Sequence, residues 1–409
     1  MRKLLLTAAL AFSAAVCAQN NVLSIDAQLR TRGEHDNGAH TPRSEGTQAA
    51  NFISERARLS FNFNRQDLQL KASIQHTGLW GQDGMNTSNE RATVNEAWAK
   101  MKFGNHFFAQ LGRMQLAYDD ERILGASDWN NNGNWHDALR LGYSDFHNSL
   151  HIILAMNQDD TSNRGDYYNG PMPYKNMQAL WYHYQAFRVP FSVSLMALNI
   201  GYERGTENHG RTNYLQTYGT DINFRPQSWN IHAAFYYQMG KTALRKVQAW
   251  LASGSIGYSF APELGLSVGY DLMSGNDYNK NEWTAFDALY GTHHKFFGTM
   301  DYFGSTLSCG LQDLNASLTS RLSHKVKLKV DYHYLMTDKQ LNTLGKSLGH
   351  EIDAQVTANI MKDVTLTAGY STMLGTVTMD YVKGGSHDQW QDWAWLQLNI
   401  NPRLFSSKW

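Results

Sequence analysis

Read in steps of two, the chain alternates between apolar and polar residues over most of its length. Leu23, Ile25, Ala27 and Leu29 fall on one parity, and Ser24, Asp26, Gln28 and Arg30 fall on the other. Ala57, Leu59, Phe61 and Phe63 oppose Arg56, Arg58, Ser60 and Asn62 in the same way. The pattern returns in Val326, Leu328, Val330, Tyr332 and Tyr334 against Lys327, Lys329, Asp331 and His333. It returns again in Ile352, Ala354, Val356, Ala358 and Ile360 against Glu351, Asp353, Gln355, Thr357 and Asn359. A side-chain period of two is that of a strand with one apolar and one polar face. No comparable stretch runs at a helical period.

About eighteen such segments can be marked, starting near residues 22, 52, 68, 94, 107, 138, 149, 177, 191, 213, 228, 246, 264, 313, 326, 350, 364 and 390. Their length, roughly nine to twelve residues, is what a tilted strand needs to cross a bilayer. Strands of soluble sandwiches are nearer five or six residues. The connectors alternate in length. Short links occupy 64–67, 104–106, 144–148, 187–190, 225–227, 261–263, 323–325 and 361–363, and long links occupy 33–50, 78–92, 115–136, 157–176, 201–212, 240–245, 274–308, 338–349 and 375–389. Short turns on one side and long loops on the other are the habit of outer-membrane barrels. The expected fold is therefore all-β: a transmembrane, antiparallel, up-and-down β-barrel of about 18 strands with both termini on the periplasmic side. A soluble solenoid or propeller would need a fixed-period repeat, and none is found.

Composition fits this reading. Thirty-six Lys and Arg balance 36 Asp and Glu, which removes a general nucleic-acid binder. A mean hydropathy of −0.49 removes a polytopic helical membrane protein. In a barrel, the apolar parity meets lipid and the polar parity meets a wet lumen, so a low average is expected. Aromatics at strand ends (Trp80, Phe103, Tyr143, Phe224, Trp229, Tyr258 and Phe260) suit interfacial girdles, although each also suits ordinary strand propensity. At the N-terminus, Arg2-Lys3 precedes an apolar run from Leu4 to Val16 and a small-residue site at Val16-Cys17-Ala18. Residues 1–18 are expected to be a signal peptide and residues 19–409 the barrel. A lipoprotein signal at Cys17 is disfavoured by the bulk of Val16. Cleavage after Ala18 would remove Arg2, Lys3 and Cys17, leaving a slight acidic excess and Cys309 as the only cysteine.

Between residues 112 and 141 the chain carries a more specific signature: Gly112-Arg113-Met114, Asp119-Asp120-Glu121-Arg122-Ile123-Leu124-Gly125, Asp128-Trp129 and Asp137-Ala138-Leu139-Arg140-Leu141. Further on come His294-Lys295-Phe296-Phe297-Gly298, Asp301-Tyr302-Phe303, Gly310-Leu311-Gln312-Asp313 and Leu348-Gly349-His350-Glu351-Ile352-Asp353. This set resembles the alginate-export family of outer-membrane barrels, and in outline the likeness covers most of the chain after the signal. The resemblance implies an eighteen-stranded barrel whose arginine-rich lumen passes an anionic polysaccharide. The chain departs from the family pattern at Met114, at Ala138 and at Asn134-Trp135-His136, which replaces an arginine-containing stretch.

On the polar parity the bases are Arg30, Arg32, Arg56, Arg58, Lys71, Lys100, Lys102, Arg140, Arg321, Lys327 and Lys329. The acids are fewer: Asp26, Glu96, Asp221, Asp271, Asp331, Glu351 and Asp353. The bases gather in the first four strands, so the lumenal field should be lopsided and should favour anions. A salt-bridged lumen that cancels its own charge is the competing reading. The 115–136 and 274–308 segments are long enough to fold inward and narrow the pore. Arg113, Asp120, Glu121 and Arg122 are candidate constriction residues, with Asp120, Glu121 and Arg122 bracing such a loop against lumenal bases. Trp98, Trp393 and Trp395 fall on the lumenal parity and could stack on sugar faces or pack against an inward loop.

Enzyme motifs fail on inspection. Leu344-Gly345-Lys346-Ser347 lacks the first glycine of a phosphate-binding loop, and His350-Glu351 lacks a second histidine at 354. Asn276, Asp277, Asn279, Asn281 and Glu282 read as turn residues rather than a calcium loop, and His293-His294 has no metal-ligand spacing. Neither a metal nor a cofactor is implied. The expectation is a porin-like, non-enzymatic channel in the bacterial outer membrane, surrounded by lipid and read as a monomer. It would pass an anionic solute or polysaccharide by diffusion or by export with a periplasmic partner. The alternatives are an outer-membrane lipid hydrolase, for which His76 on the apolar parity is the one candidate, and a structural barrel closed by its loops.

Overall fold

The computed structural model describes residues 21–85, 91–159, 161, 165–304 and 306–409, so the expected signal peptide lies outside the described residues. The strands are β1 (Val22–Asn37), β2 (Ala50–Asn64), β3 (Leu68–Leu79), β4 (Ala92–Phe103), β5 (Phe107–Met114), β6 (His136–Ser144), β7 (Asn148–Met156), β8 (Asn176–Gln185) and β9 (Phe191–Arg204). They continue as β10 (Arg211–Phe224), β11 (Trp229–Lys241), β12 (Lys246–Ala261), β13 (Leu264–Met273), β14 (Leu311–Arg321), β15 (Val326–Met336), β16 (Ser347–Met361), β17 (Val364–Gly375), β18 (Gln391–Ile400) and β19 (Arg403–Lys408). A short helix, α1 (Val377–Lys383), precedes β18.

Each strand pairs antiparallel with its sequence neighbours. β1 closes the ring by pairing with β2 on one side and with β18 and β19 on the other. β19 continues the line of β18 past Asn401-Pro402, where proline cannot supply a ladder N–H. The barrel thus has eighteen strands. Every expected segment corresponds to one of them. Among the described residues no helix is long and apolar enough to cross a membrane, as expected where strands make the crossing.

Parity sorts the two faces. Leu59, Phe61, Leu70, Ile74, Leu180, Leu195, Tyr218 and Val268 are exposed, whereas Arg30, Arg56, Gln75, Asp221, Asp271, Asp313 and Glu351 are buried. This is the inverse of a soluble protein, and it suits a wall with hydrocarbon outside. Of the strand-end aromatics, Trp80, Phe103, Trp229, Tyr258 and Phe260 are exposed.

A true hydrophobic core exists inside the barrel. Leu198, Ile200, Leu215, Leu251, Met273, Leu311, Leu335, Leu348 and Met373 stand on the lumenal parity towards the long-loop ends of their strands, and all are buried. Against them pack Leu116, Ile123, Leu124, Phe286, Phe297, Met300, Tyr302 and Phe303 of the two long segments that follow β5 and β13. Burial of these side chains draws both loops into the lumen. Each fully buried apolar side chain contributes about 1.5–3 kcal/mol.

Candidate functional site

The β5–β6 loop (115–135) and the β13–β14 loop (274–310) join inside the barrel. Tyr290 N donates to Ile123 O (3.0 Å), Gly125 N to Tyr290 O (3.0 Å) and Thr292 N to Glu121 O (2.8 Å), forming a short parallel ladder about Leu124 and Tyr290. Side chains reinforce it. Glu121 accepts from Thr292 Oγ1 at 2.7 Å and from Lys295 Nζ at 3.0 Å. Backbone strain collects here. Six of the ten non-glycine residues with positive φ among the described residues are Asp119, Glu121, Ser127, Leu289, Phe297 and Asp301. Such conformations persist only where the surroundings over-determine them.

The joined loops are fastened to an acidic arc of wall. Arg122 donates to Asp271 of β13 at 2.7 Å and to Ser253 of β12 at 2.9 Å. Thr299 Oγ1 donates to Asp353 of β16 at 2.6 Å, and Met300 N donates to Glu351 of the same strand at 2.7 Å. The neighbouring Asp313 is held by His333 at 2.8 Å. The sequence reading had Asp120, Glu121 and Arg122 bracing the loop against lumenal bases, and for these three residues the structure corrects the partners. Arg122 is the brace, and it meets a wall acid. Asp120 is held by Arg122 within the loop at 2.7 Å, and Glu121 binds the second loop.

The basic arc lies across the lumen, on β1 and β2. Asp128, near the tip of the first loop, reaches it. Arg56 Nη1 donates to Asp128 Oδ1 at 2.9 Å, Arg30 Nη1 stands 3.8 Å from Oδ2, and Arg58 Nη1 stands 3.9 Å from Oδ1. Arg30 also donates to the carbonyls of Asp128 (2.6 Å) and Trp129 (3.1 Å). Arg32 lies over the Trp129 ring at 4.2 Å and pairs with Glu34 at 2.9 Å. The Arg56 side chain is 0% exposed, whereas that of Asp128 is 59% exposed and faces open lumen. Four guanidiniums therefore meet two carboxylates, Asp128 and Glu34, and the cluster keeps a positive excess.

Trp129 completes the constriction. It stacks on His294 of the second loop at 4.3 Å with planes 7° apart, and it packs edge-on against Trp393 and Trp395. An outer cavity of about 720 Å³ and an inner one of about 790 Å³ both have Trp129 and His294 in their walls. The lumen thus narrows at this pair. Trp393 is 1% exposed and Trp395 7%, so these rings are packed against the loop and offer no open face to a sugar. Trp98 is half-buried and donates to Glu96 at 3.0 Å.

The remaining expected residues fall in different places. Lys71 pairs with Glu96, Lys100 lies over Phe108 at 3.8 Å, and Arg140 donates to Gln110 at 2.6 Å. Lys102 is exposed near the short-turn end of β4. Arg321, Lys327 and Lys329 line the mouth on the short-turn side, where Lys329 pairs with Asp331 at 2.8 Å. Arg113 is a correction. It stands on the lipid-facing parity of β5, paired with Asp137 at 2.9 Å and stacked on Trp135 at 3.6 Å, away from the constriction. The parity of the strand turns it outward, because Gln110 and Ala138 supply the inward row.

Sequence reasoning missed the role of Asp128, although the Asp128-Trp129 pair was part of the family-like signature. It also missed a side pocket of about 520 Å³ under the first loop, lined by Asp119, Asp120, Trp181, His183, Asp221 and His232. There the ligand-type atoms of Asp120, Asp221 and His232 lie within 4.8 Å of one another. His232 Nε2 sits 2.6 Å from Asp221, and the Arg122 guanidinium already occupies the Asp120 oxygen, so the group is internally satisfied. Asp119 accepts from Trp181 Nε1 at 3.0 Å, and burial pushes its carboxyl up to about 6.

A family model described as Alginate export matches residues 21–349. The chain belongs to the alginate export family. The motifs that define this family member's inner architecture are the ones just described: Asp120 to Arg122, Asp128-Trp129, His294 to Gly298, and Glu351 with Asp353. No curated protein matches the chain. Among solved structures, it is similar to OccK9 (OpdG) of Pseudomonas aeruginosa at a TM-score of 0.65 and 13% identity, covering 93% of this chain and 98% of that one. It is also similar to OpdK of the same organism, solved with vanillate, at 0.63 and 10% identity, covering 94% and 99%. A BenF-like porin from Pseudomonas fluorescens Pf-5 gives 0.63 and 10% identity, covering 93% and 99%. The likeness is one of fold. The barrel is an outer-membrane, porin-like protein.

Proposed function

We propose that this family member is a passive channel for anionic solutes, with carboxylates its preferred cargo. The convergence of Arg30, Arg56 and Arg58 around Asp128, with Arg32 over the adjoining Trp129, carries the reading. A carboxylate already rests there, and the guanidinium fork suits that group through paired N–H donors. The wall acids do not offset the cluster, because Asp271, Glu351 and Asp353 are engaged in holding the loops. A pore with an arginine cluster beside its constriction favours anions. Vanillate, with which OpdK was solved, is an aromatic carboxylate. A uronate polysaccharide presents a carboxylate on every sugar, and membership of the alginate export family supports it as the longer form of the same cargo.

In this reading residues 1–18 direct export and are removed, the termini face the periplasm, and the chain works without a cofactor and without catalysis. Flow follows the gradient or an upstream periplasmic machine. Planar-bilayer recording of the purified barrel tests the proposal. In a salt gradient the reversal potential should report anion preference, and small uronates should interrupt the current. Cation preference, or uronates without effect, would overturn it.

A further inference from the structure

The outward face of β8–β12 breaks the rule that a barrel shows lipid an apolar surface. Gln178, Asn199, Gln216, Met239 and Gln248 are register partners in one row across these five strands. They share the parity of the exposed Leu180, Leu195, Tyr218, Phe235 and Trp250, so they point away from the lumen. Their amides form a chain of hydrogen bonds. Gln216 donates to Asn199 at 2.7 Å, Asn199 to Gln178 at 2.6 Å and Gln178 to Asn176 at 2.9 Å, while Gln248 donates to Tyr237 at 2.8 Å. Amides facing hydrocarbon carry a desolvation cost that such mutual bonds only partly offset, since each amide has more donors and acceptors than the chain uses.

One step nearer the long loops, Lys241 and Lys246 stand directly opposite each other, both exposed on the same face, with Arg245 beside them over Trp283 at 3.9 Å. Like charges directly opposite in an antiparallel pair are destabilising. No carboxylate pairs with any of the three among the described residues. One step the other way, the row becomes Leu180, Ala197, Tyr218, Tyr237 and Trp250. The face is therefore layered as cationic, amide and apolar, in order from the long-loop end inward.

We infer that this face docks a phosphorylated glycolipid of the outer leaflet, lipopolysaccharide, with its phosphates on Lys241, Arg245 and Lys246. Its sugar and amide-linked groups meet the glutamine and asparagine row, and its acyl chains lie over Leu180, Tyr218 and Trp250. The long-loop end is the one that faces the outer leaflet. Five strands span about 19 Å at the usual inter-strand spacing, which matches a multi-acyl glycolipid better than a single phosphodiester. A second copy of the chain is a poorer occupant, because a symmetric contact would set this basic cluster against itself.

The test uses the purified full barrel in detergent. Binding of lipopolysaccharide, of its dephosphorylated form and of phosphatidylglycerol is measured by native mass spectrometry. The wild type should retain lipopolysaccharide over both other lipids. The double variant Lys241→Gln/Lys246→Gln should lose on the order of tenfold in affinity, given the pull of an anionic lipid surface on each base. Gln216→Leu/Gln248→Leu is the second variant, expected to weaken lipopolysaccharide binding while leaving phosphatidylglycerol unchanged. All four side chains face outward, and single-channel conductance verifies that both variants are folded and open. Unchanged lipopolysaccharide affinity in both variants, or equal wild-type binding of the three lipids, would overturn the assignment. So would cross-linking of Gln216→Cys barrels to one another in membranes.

Discussion

Arg122 and Asp271 meet at 2.7 Å between the inward loop and the barrel wall, with side chains only 6% and 8% exposed. The same guanidinium holds Asp120 and lies over Phe296 at 4.0 Å, so one residue ties the first loop to itself, to the wall and to the second loop. Removing one partner of a buried pair leaves an uncompensated charge and costs about 3–5 kcal/mol. Arg122→Met should therefore release the loop rather than unfold the barrel, whose wall ladder does not depend on it. Single-channel recording should show larger mean conductance and more open-channel noise, with the secondary structure unchanged by circular dichroism.

Asp128 is the counterpart on the conducting side. Its carboxylate offsets part of the charge of Arg30, Arg56 and Arg58 while facing open lumen. Asp128→Asn keeps the hydrogen-bonding shape and removes one negative charge from the narrowest region. The anion-to-cation permeability ratio should rise, and uronate block should deepen and last longer, because the resident competitor is weaker. A ratio that stays constant in reversal-potential measurements would detach Asp128 from selectivity.

The barrel wall was legible because strand parity is a local property, and each of β1 to β18 begins within three residues of its expected start. The hardest segments were those that seat the loops. In β9, Met196, Leu198 and Ile200 face the lumen although apolar, so the alternation fades there. The reason lies in tertiary packing, which the period alone does not reveal. The basic arc was equally visible, since Arg30, Arg32, Arg56 and Arg58 share one parity. What could not be read was the pairing across the lumen. Asp128 and Arg56 are 72 positions apart, and Arg122 and Asp271 are 149 apart, so only the fold decides which acid a base meets.

Gly298 has φ of +89°, and a Cβ there would strike the Glu351 carboxylate. That carboxylate accepts from Met300 N at 2.7 Å and fixes the turn of the second loop. Gly298→Ala should push the turn out of its seat at a cost of about 1–3 kcal/mol. The stack of Trp129 on His294 should loosen with it. The expected signs are a lower unfolding temperature in detergent and a conductance increase that Glu351→Ala, by removing the obstructing carboxylate, partly suppresses.

The pH response follows from Asp119, whose carboxyl burial raises from 3.8 to about 6 while Trp181 and Ser194 hydrogen bonds oppose the rise. With the docked loop holding this proton more tightly than the free loop, docking is favoured at low pH and weakens as pH climbs from about 4 through 6. A shift of this size corresponds to about 3 kcal/mol at most, reached above pH 6. Current noise from loop motion should thus be low at pH 5 and rise by pH 7, and Asp119→Asn should stay quiet across that range. Asp120, Asp221, His183 and His232 line the same pocket. If Asp119→Asn kept the wild-type pH dependence, control would pass to those histidines and the burial of Asp119 would not govern the loop.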